Sequence, residues 1–391
     1  MKKIVLVIIA LVFFCCNRKH DDYKSTDLNY EEIRKTENST FSSSFINSEE
    51  LNIRLNYLNR VILEPFGPDC EIYRLQYENF EWMLFTYAFT TYAYTNLILT
   101  DKSYFNKGKE VIKQSINRTI SKQSIYFNVD SNALFHQNIP DYSVLFLGHL
   151  NLMIGCYRLI SNDNSFNQIN KHISESLIKR YNESQFMMLE SYDNSVWIAD
   201  NTVAMASLKL FSHNEKNKYD SICSKWIQMV KAKYVDSELN VLYSKIDPES
   251  GEPIEEPRGS MLGWSIMFIN QFDSTFAKSL YLSYKKNFSN DYMLLRFFRE
   301  RHDVKESNMG DIDSGPIVWG FSIPANQFAL GCAIISGDFS TANKIKRLID
   351  IGTEEVITNE EFKYKTKYID INISPMAEAL VLFSLTLRKW I

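Results

Sequence analysis

What this chain of 391 residues lacks narrows its function first. It has no large excess of either charge, since 43 Lys and Arg stand against 47 Asp and Glu for a net charge of −4. The basic residues are scattered rather than gathered. That lacks the electrostatic footprint of a nucleic-acid binder, and no nucleic acid is expected as a partner. Cysteine is scarce, with six in all, and none belongs to a CxxC or to a Cys/His cluster at zinc spacing. A structural metal site is therefore not expected, and no cofactor is expected either. Nor does the chain open with an apolar run of the about 20 residues that crossing a bilayer requires.

The opening run is shorter. Met1-Lys2-Lys3 precedes an apolar stretch from Ile4 to Phe14, and Cys15-Cys16 follow. A basic start before a brief apolar stretch reads as a secretory signal. A cysteine directly at its end is where bacterial lipoproteins are cut and acylated, which makes Cys16 or Cys15 the expected lipidation site. Phe14 is bulky for the position before a cut at Cys15, whereas a cut at Cys16 places the smaller Cys15 there. The alternative is an ordinary signal peptide with incidental cysteines. Residues 17–48 are charged and rich in Ser, Thr and Asn. Such a segment buries too little apolar surface to offset its ordering entropy, so a tether is expected there. Residues 1–16 as signal, 17–48 as tether and 49–391 as one domain describe a protein held to a bacterial envelope membrane by a lipid, periplasmic or surface-exposed.

Aromatic residues, by contrast, are plentiful, with 26 Phe and 22 Tyr. They suit a dense core first and a ligand-stacking cavity second. Long, nearly all-apolar helices are expected at Cys70–Leu99, Asp141–Ile160, Ser195–Phe211, Gly259–Asn270, Ile317–Ile335 and Ser374–Trp390. Helices with a polar face are expected at Ser48–Leu63, Phe105–Ser121, Ser165–Tyr181, Asn214–Val235, Ser274–Asn287 and Ser340–Ile349. A helix apolar all round is buried, and one with a polar face lies outside. Six of each in alternation predict an all-α (α/α)6 toroid of six helical hairpins; an open α-solenoid is the alternative. Small residues such as Ala204, Gly259, Gly263 and Gly331 fall where inner helices would crowd.

In a ring, the loops leading into the inner helices converge at one end. Tyr142, His149, Tyr192, Trp197, Asp200, Asn201, Glu255, Glu256, Arg258, Asp311, Asp313, Ser314, Ser374 and Glu378 all fall just before or early in those helices. Convergent polar groups from distant segments are the pattern of a pocket. His149 lies on an apolar face with Tyr142, Phe146, Met153 and Cys156, and reads either as a hydrogen-bonded core residue or as a proton-transfer group. Capping explains one of Asp193, Asn194 and Ser195 but not Asp200 and Asn201, a turn further in. A carboxylate at Asp200 is either structurally paired or a candidate acid. Asp311-Ile312-Asp313-Ser314-Gly315-Pro316 carries more acid than a turn needs. Arg258 supplies a counter-charge or binds an anionic group, while Glu255 and Glu256 read equally well as a solvated loop.

Tyr-Ser-x-x-x-x-Gly-His-Leu-Asn-Leu-Met at 142–153, Trp-x-x-Asp-Asn-x-x-Ala at 197–204 and Asp-x-Asp-Ser-Gly-Pro at 311–316 resemble the linalool dehydratase-isomerase-like group of (α/α)6 proteins. That resemblance implies a central cavity where histidine, acid, tyrosine and cysteine move protons, with His149 in the pocket. The family pattern carries a cysteine near the position of Asp200, so this chain departs from it there. The leading expectation is an envelope-anchored lyase or isomerase with Asp200 and Asp313 as proton donor and acceptor and His149 assisting. Tyr142, Tyr192, Trp197, Asn201, Arg258 and Asp311 would then contact the substrate. A glycoside hydrolase or uronate lyase acting on glycans is the alternative, with Trp197, Trp264 and Trp319 stacking on sugar rings. A non-catalytic ligand-binding lipoprotein is the third. The expected partner is thus a small-molecule or glycan substrate.

Overall fold

The computed structural model describes residues 45–391 except 217, 304–309, 312–313, 315–316, 318–319, 359 and 367–373. The expectations placed on Cys15, Cys16, residues 17–44, Asp313 and Trp319 lie outside the described residues.

Short polar side chains start most of the inner helices. Asn79, Ser143, Ser322 and Ser374 each accept a hydrogen bond from a backbone N–H of the first turn that follows. Those N–H groups have no partner within their own helix, so the cap fixes where each helix begins. The outer helices are α1 (Ser48–Leu63), α3 (Phe105–Arg118), α5 (Asn167–Glu183), α7 (Ser221–Lys233), α9 (Ser274–Phe288) and α11 (Phe339–Gly352). The inner ones are α2 (Phe80–Thr100), α4 (Val144–Ile160), α6 (Ile198–Asn214), α8 (Gly259–Ile269), α10 (Ile323–Ile335) and α12 (Pro375–Thr386). Each inner helix packs on the next, and α12 packs back on α2. The ring is therefore closed: this is the (α/α)6 toroid.

Close approach of the inner helices depends on small residues. A β-carbon on Gly263 of α8 would lie 2.5 Å from Cβ of Phe328 on α10, and one on Gly259 would strike the Arg299 carbonyl. The centre of the ring is packed with aromatic rings. Phe89 of α2 stacks on Phe383 of α12 with centroids 5.8 Å apart, and Trp264, Phe268 and Phe328 close around them.

The seam joins the first helix to the last. Arg54 of α1 meets Glu378 of α12 at 3.1 Å, with both side chains 2% exposed. Arg54 also pairs with Glu50 and lies over the rings of Phe362 and Tyr364. Glu378 accepts the Tyr364 backbone N–H as well, so the residue expected near the pocket is part of the ring closure.

The two ends of the toroid differ. Turns from inner to outer helices are brief, such as 101–104, 270–273 and 336–338. Connections from outer to inner helices are long and carry all the described strands. β1 (Val196–Trp197), β2 (Lys245–Ile246) and β3 (Pro253–Glu255) form an antiparallel sheet in that order, with Val196 opposite Ile246. β4 (Ser289–Tyr292) pairs with β5 (Leu295–Phe298), and β6 (Thr353–Thr358) with β7 (Glu361–Thr366). Long loops on a rigid scaffold are where binding and chemistry concentrate.

Several boundaries differ from expectation for identifiable reasons. The helix expected over Cys70–Leu99 is broken: Glu71–Arg74 forms one turn, and α2 starts only after the extended Asn79. The helix expected from Ile317 starts at Ile323, where Ser322 caps it and Pro324 occupies the first turn. The helix expected to reach Trp390 stops at Thr386, and Trp390 then tucks under the ring, its indole N–H donating to Asn96 Oδ1 at 2.6 Å. Phe45 and Ile46, assigned to the tether, are buried, with Phe45 against Phe339. Among the described residues, no helix is long and apolar enough to cross a membrane.

Candidate functional site

The long-loop end of the ring is assembled from the first turns of the inner helices. Pairing of β1 with β2 and the hydrogen bond from Ile198 N–H to the Ser244 carbonyl fix the chain as it enters α6. Asn201, one turn in, spends its side chain on the protein. It accepts from the Tyr181 hydroxyl at 2.7 Å and the Leu189 N–H at 2.9 Å, and it donates to the carbonyls of Leu189 and Trp197. This clamp locks the incoming loop onto α6. Beside it, Asp200 is 9% exposed. It lies near Tyr181, whose phenol is held by burial far above its ordinary pKa against the opposing pull of Arg180.

Arg258 immediately precedes the neighbouring inner helix, α8, and is 2% exposed. Its Nε donates to Glu300 at 2.8 Å and its Nη2 to Asp311 at 2.8 Å, while Glu255 lies 3.6 Å from Nη1. The guanidinium sits 5.9 Å from the Trp197 ring centroid. Burial acts to lower the Arg258 pKa, but the Glu300 and Asp311 charges outweigh it and raise the value. Burial likewise opposes ionisation of Asp311. The Ser314 N–H and the Arg258 guanidinium prevail, and its carboxyl stays below the usual carboxylate range. Glu300 is completed by the backbone N–H and hydroxyl of Ser260.

Trp197, Arg258 and Asp311 are thus brought together where α6 and α8 meet, with Asp200 three residues beyond Trp197 in the first turn of α6. At the same end of the ring, the Tyr192 hydroxyl donates to Glu81, in the first turn of α2. Tyr142 is a loop-pinning residue at the rim: its hydroxyl accepts from the Asp130 N–H at 3.2 Å, and its carbonyl accepts from Arg180. Asp313 lies outside the described residues.

His149 is placed deeper than the other candidates. It is wholly buried on the ring axis among Phe85, Phe89, Trp264 and Phe268, with Nδ1 3.0 Å from the Tyr92 hydroxyl. Burial pushes its pKa down to about 3, which keeps the ring neutral. Trp264, expected to stack on a sugar in the glycan reading, is part of this same aromatic packing. Cys70, Cys156, Cys223 and Cys332 are buried and unbridged. Among the described residues, no three His, Cys, Asp or Glu side chains are grouped to hold a metal ion.

Two functional-end residues were missed from sequence. Glu81 was hidden inside an expected helix, although Asn79 two residues earlier is a recognisable cap. Glu300 carries no local signal, because only the pairing of β4 with β5 and the bridge from Arg299 to Phe321 bring it beneath Arg258.

No protein-family model matches the chain. Solved structures with a similar course do exist. The α-1,6-mannanase of Salegentibacter sp. HEL1_6 aligns with a TM-score of 0.51 at 12% identity, over 86% of this chain and 98% of its own. An inactive variant of that mannanase in complex with α-1,6-mannotriose gives 0.52 at 12% identity, over 87% and 98%. The unsaturated glucuronyl hydrolase of Bacillus sp. GL1 gives 0.54 at 11% identity, over 86% and 96%. At such identities the likeness concerns the fold. It is that of the six-hairpin glycosidase-like toroid, and it lends nothing specific to the linalool dehydratase-isomerase resemblance.

Proposed function

We propose that this protein is a glycan-cleaving hydrolase whose site lies at the long-loop mouth between α6 and α8. The observation that carries the reading is Arg258, which lies against Trp197 at the entry to α6, three residues before Asp200, and holds Asp311 at 2.8 Å. Glycoside cleavage uses two carboxyl groups, one protonating the leaving oxygen and one acting as base or nucleophile. Asp311 suits the second role, because Arg258 and the Ser314 N–H keep it ionised. Asp200, largely shielded from water in the first turn of α6, is assigned the proton. Trp197, partly exposed, offers a ring face for stacking a sugar.

The similar structures support this reading through what their names say they act on, which are glycans. The mannanase variant described as inactive is altered at two consecutive aspartates. In this chain the one Asp-Asp step is Asp21-Asp22, ahead of the toroid. The acid pair proposed here comes from separate segments, Asp200 in α6 and Asp311 in the connection to α10. The lyase or isomerase chemistry implied by the linalool dehydratase-isomerase resemblance is the weaker reading. It asks His149 to move protons, yet that ring is neutral and walled off by aromatic side chains.

The test is a panel of α-mannans and unsaturated uronyl oligosaccharides, followed by reducing-end release or loss of the unsaturated uronate's ultraviolet absorbance. The expected result is turnover by the wild type and a loss of roughly 10²- to 10⁴-fold in Asp200→Asn, with the melting temperature unchanged. A wild type inert on every glycan, or a variant at full rate, overturns the proposal. We also propose that Cys16 or Cys15 carries the lipid that holds the protein at the envelope. Mass spectrometry of the envelope fraction finding an unmodified start elsewhere would sink that.

A further inference from the structure

A second group of aromatic side chains lies on the same end of the toroid, outside the mouth. Two adjacent loops contribute to it, the one leading into α2 and the one leading into α4. Tyr77 is 75% exposed and Tyr126 36% exposed. Tyr73 stands edge-on to Tyr77 with centroids 6.1 Å apart, and Tyr126 stacks on Phe80 at 6.1 Å with the planes 15° from parallel. The Tyr126 hydroxyl donates to Gln76, which ties the two loops together. Beneath, Phe127 braces Phe80 and Phe146, so the platform rests on the first turns of both α2 and α4.

Tyr77 stands largely outside the core and Tyr126 presents about a third of its surface, each braced by a neighbouring ring. Exposed aromatic surface of this kind marks a binding site. The chemistry of the patch narrows the occupant. Rings with a flat apolar face and a hydroxyl at the edge match a sugar, whose ring presents C–H groups on its faces and hydroxyls around its rim. The patch is also continuous with the mouth, because Phe80 is followed directly by Glu81, the partner of Tyr192.

We propose that Tyr77 and Tyr126 form an outer binding platform for an extended glycan, which makes the substrate an oligosaccharide or polysaccharide rather than a single glycosyl unit. The inference rests on the glycan-cleaving reading of the mouth. It assigns the mouth to bond cleavage and the platform to holding a distant part of the same chain. Interactions with such remote parts of a substrate raise kcat/KM for long substrates and leave short ones unaffected.

The experiment uses the full chain and the double variant Tyr77→Ala/Tyr126→Ala, with thermal melts as the folding control. Binding of α-mannan and uronyl oligosaccharides is measured separately from turnover, in the Asp200→Asn background. Loss of both rings is expected to weaken retention of long glycans by about tenfold or more. The kcat/KM on a short aryl glycoside is expected to stay the same. Equal retention with and without the two rings overturns the platform while leaving the mouth's assignment standing. Tyrosine-dependent retention without any turnover by the wild type overturns the mouth's assignment and keeps the platform. Self-association that disappears in the double variant, with no glycan retained, assigns the patch to a second copy of the chain and overturns the glycan occupant.

Discussion

Removing Arg54 should open the toroid at its seam, and the size of the effect follows from what the side chain leaves behind. In Arg54→Met the apolar stem still fills space between Phe362 and Tyr364, but Glu378 loses the guanidinium 3.1 Å away. It keeps the hydrogen bond from the Tyr364 backbone N–H. A buried charge stripped of its counter-ion costs about 3–5 kcal/mol. With a melting entropy of about 2.1 cal/mol/K per residue over roughly 340 ordered residues, that lowers the melting temperature by about 4–7 °C.

The loss should also depend on pH. Burial already raises the Glu378 carboxyl, with Arg54 and the Tyr364 N–H opposing it, and removing Arg54 lets the carboxyl rise further. Between the ordinary and the raised value the folded protein keeps a proton that the unfolded chain releases. Stability is therefore lost as pH rises through that window. Circular-dichroism melts should show a larger deficit near about pH 8 than near about pH 5. Adding Glu378→Gln to Arg54→Met removes the buried charge and should recover much of the loss. An unchanged melting temperature, or a deficit indifferent to pH, would refute the reasoning.

Two further outcomes follow from groups placed by the ring. Asn201→Ala strands the Leu189 N–H and the Tyr181 hydroxyl, so it should cost about 2–4 kcal/mol in denaturant unfolding; a loss of activity at full stability would instead make Asn201 a substrate contact. His149, held neutral with its pKa near 3, should show no imidazole titration by NMR across about pH 5–8. Because only the unfolded chain takes up that proton, stability should fall as pH drops below about 6.5, and His149→Gln should flatten the decline. A resonance titrating near the ordinary histidine value would contradict this.

The architecture was legible because periodicity is a local signal that survives burial. The alternation of apolar and polar-faced helices indicated both the repeat and its number, and the range Ser48–Leu63 matches the first helix residue for residue. The break at Asn79 was masked, since the apolar pattern runs across it and outweighs the capping residue that starts α2. The strands escaped for a related reason. Val196–Trp197 and Lys245–Ile246 are two residues each and exist only through their pairing. At the site, Asp200 and Arg258 stood out as charges among apolar neighbours, yet their environments depend on Tyr181, Glu300 and Glu255, which are remote in sequence or carry no distinguishing pattern. The depth of His149 was equally invisible, because an incoming helix presents the same face whether its partner side chains enclose a cavity or fill it.

The polarity of the helices has a consequence for access. Outer helices run toward the long-loop end, and Phe45, just ahead of α1, rests against Phe339 at the start of α11. The chain therefore enters the ring at the end opposite the mouth, with α1 spanning about 24 Å between them at 1.5 Å per residue. The described chain thus begins at one end of the toroid while the long loops gather at the other. The long-loop end is left clear by the first described residues, Phe45 and Ile46, which are packed at the opposite end.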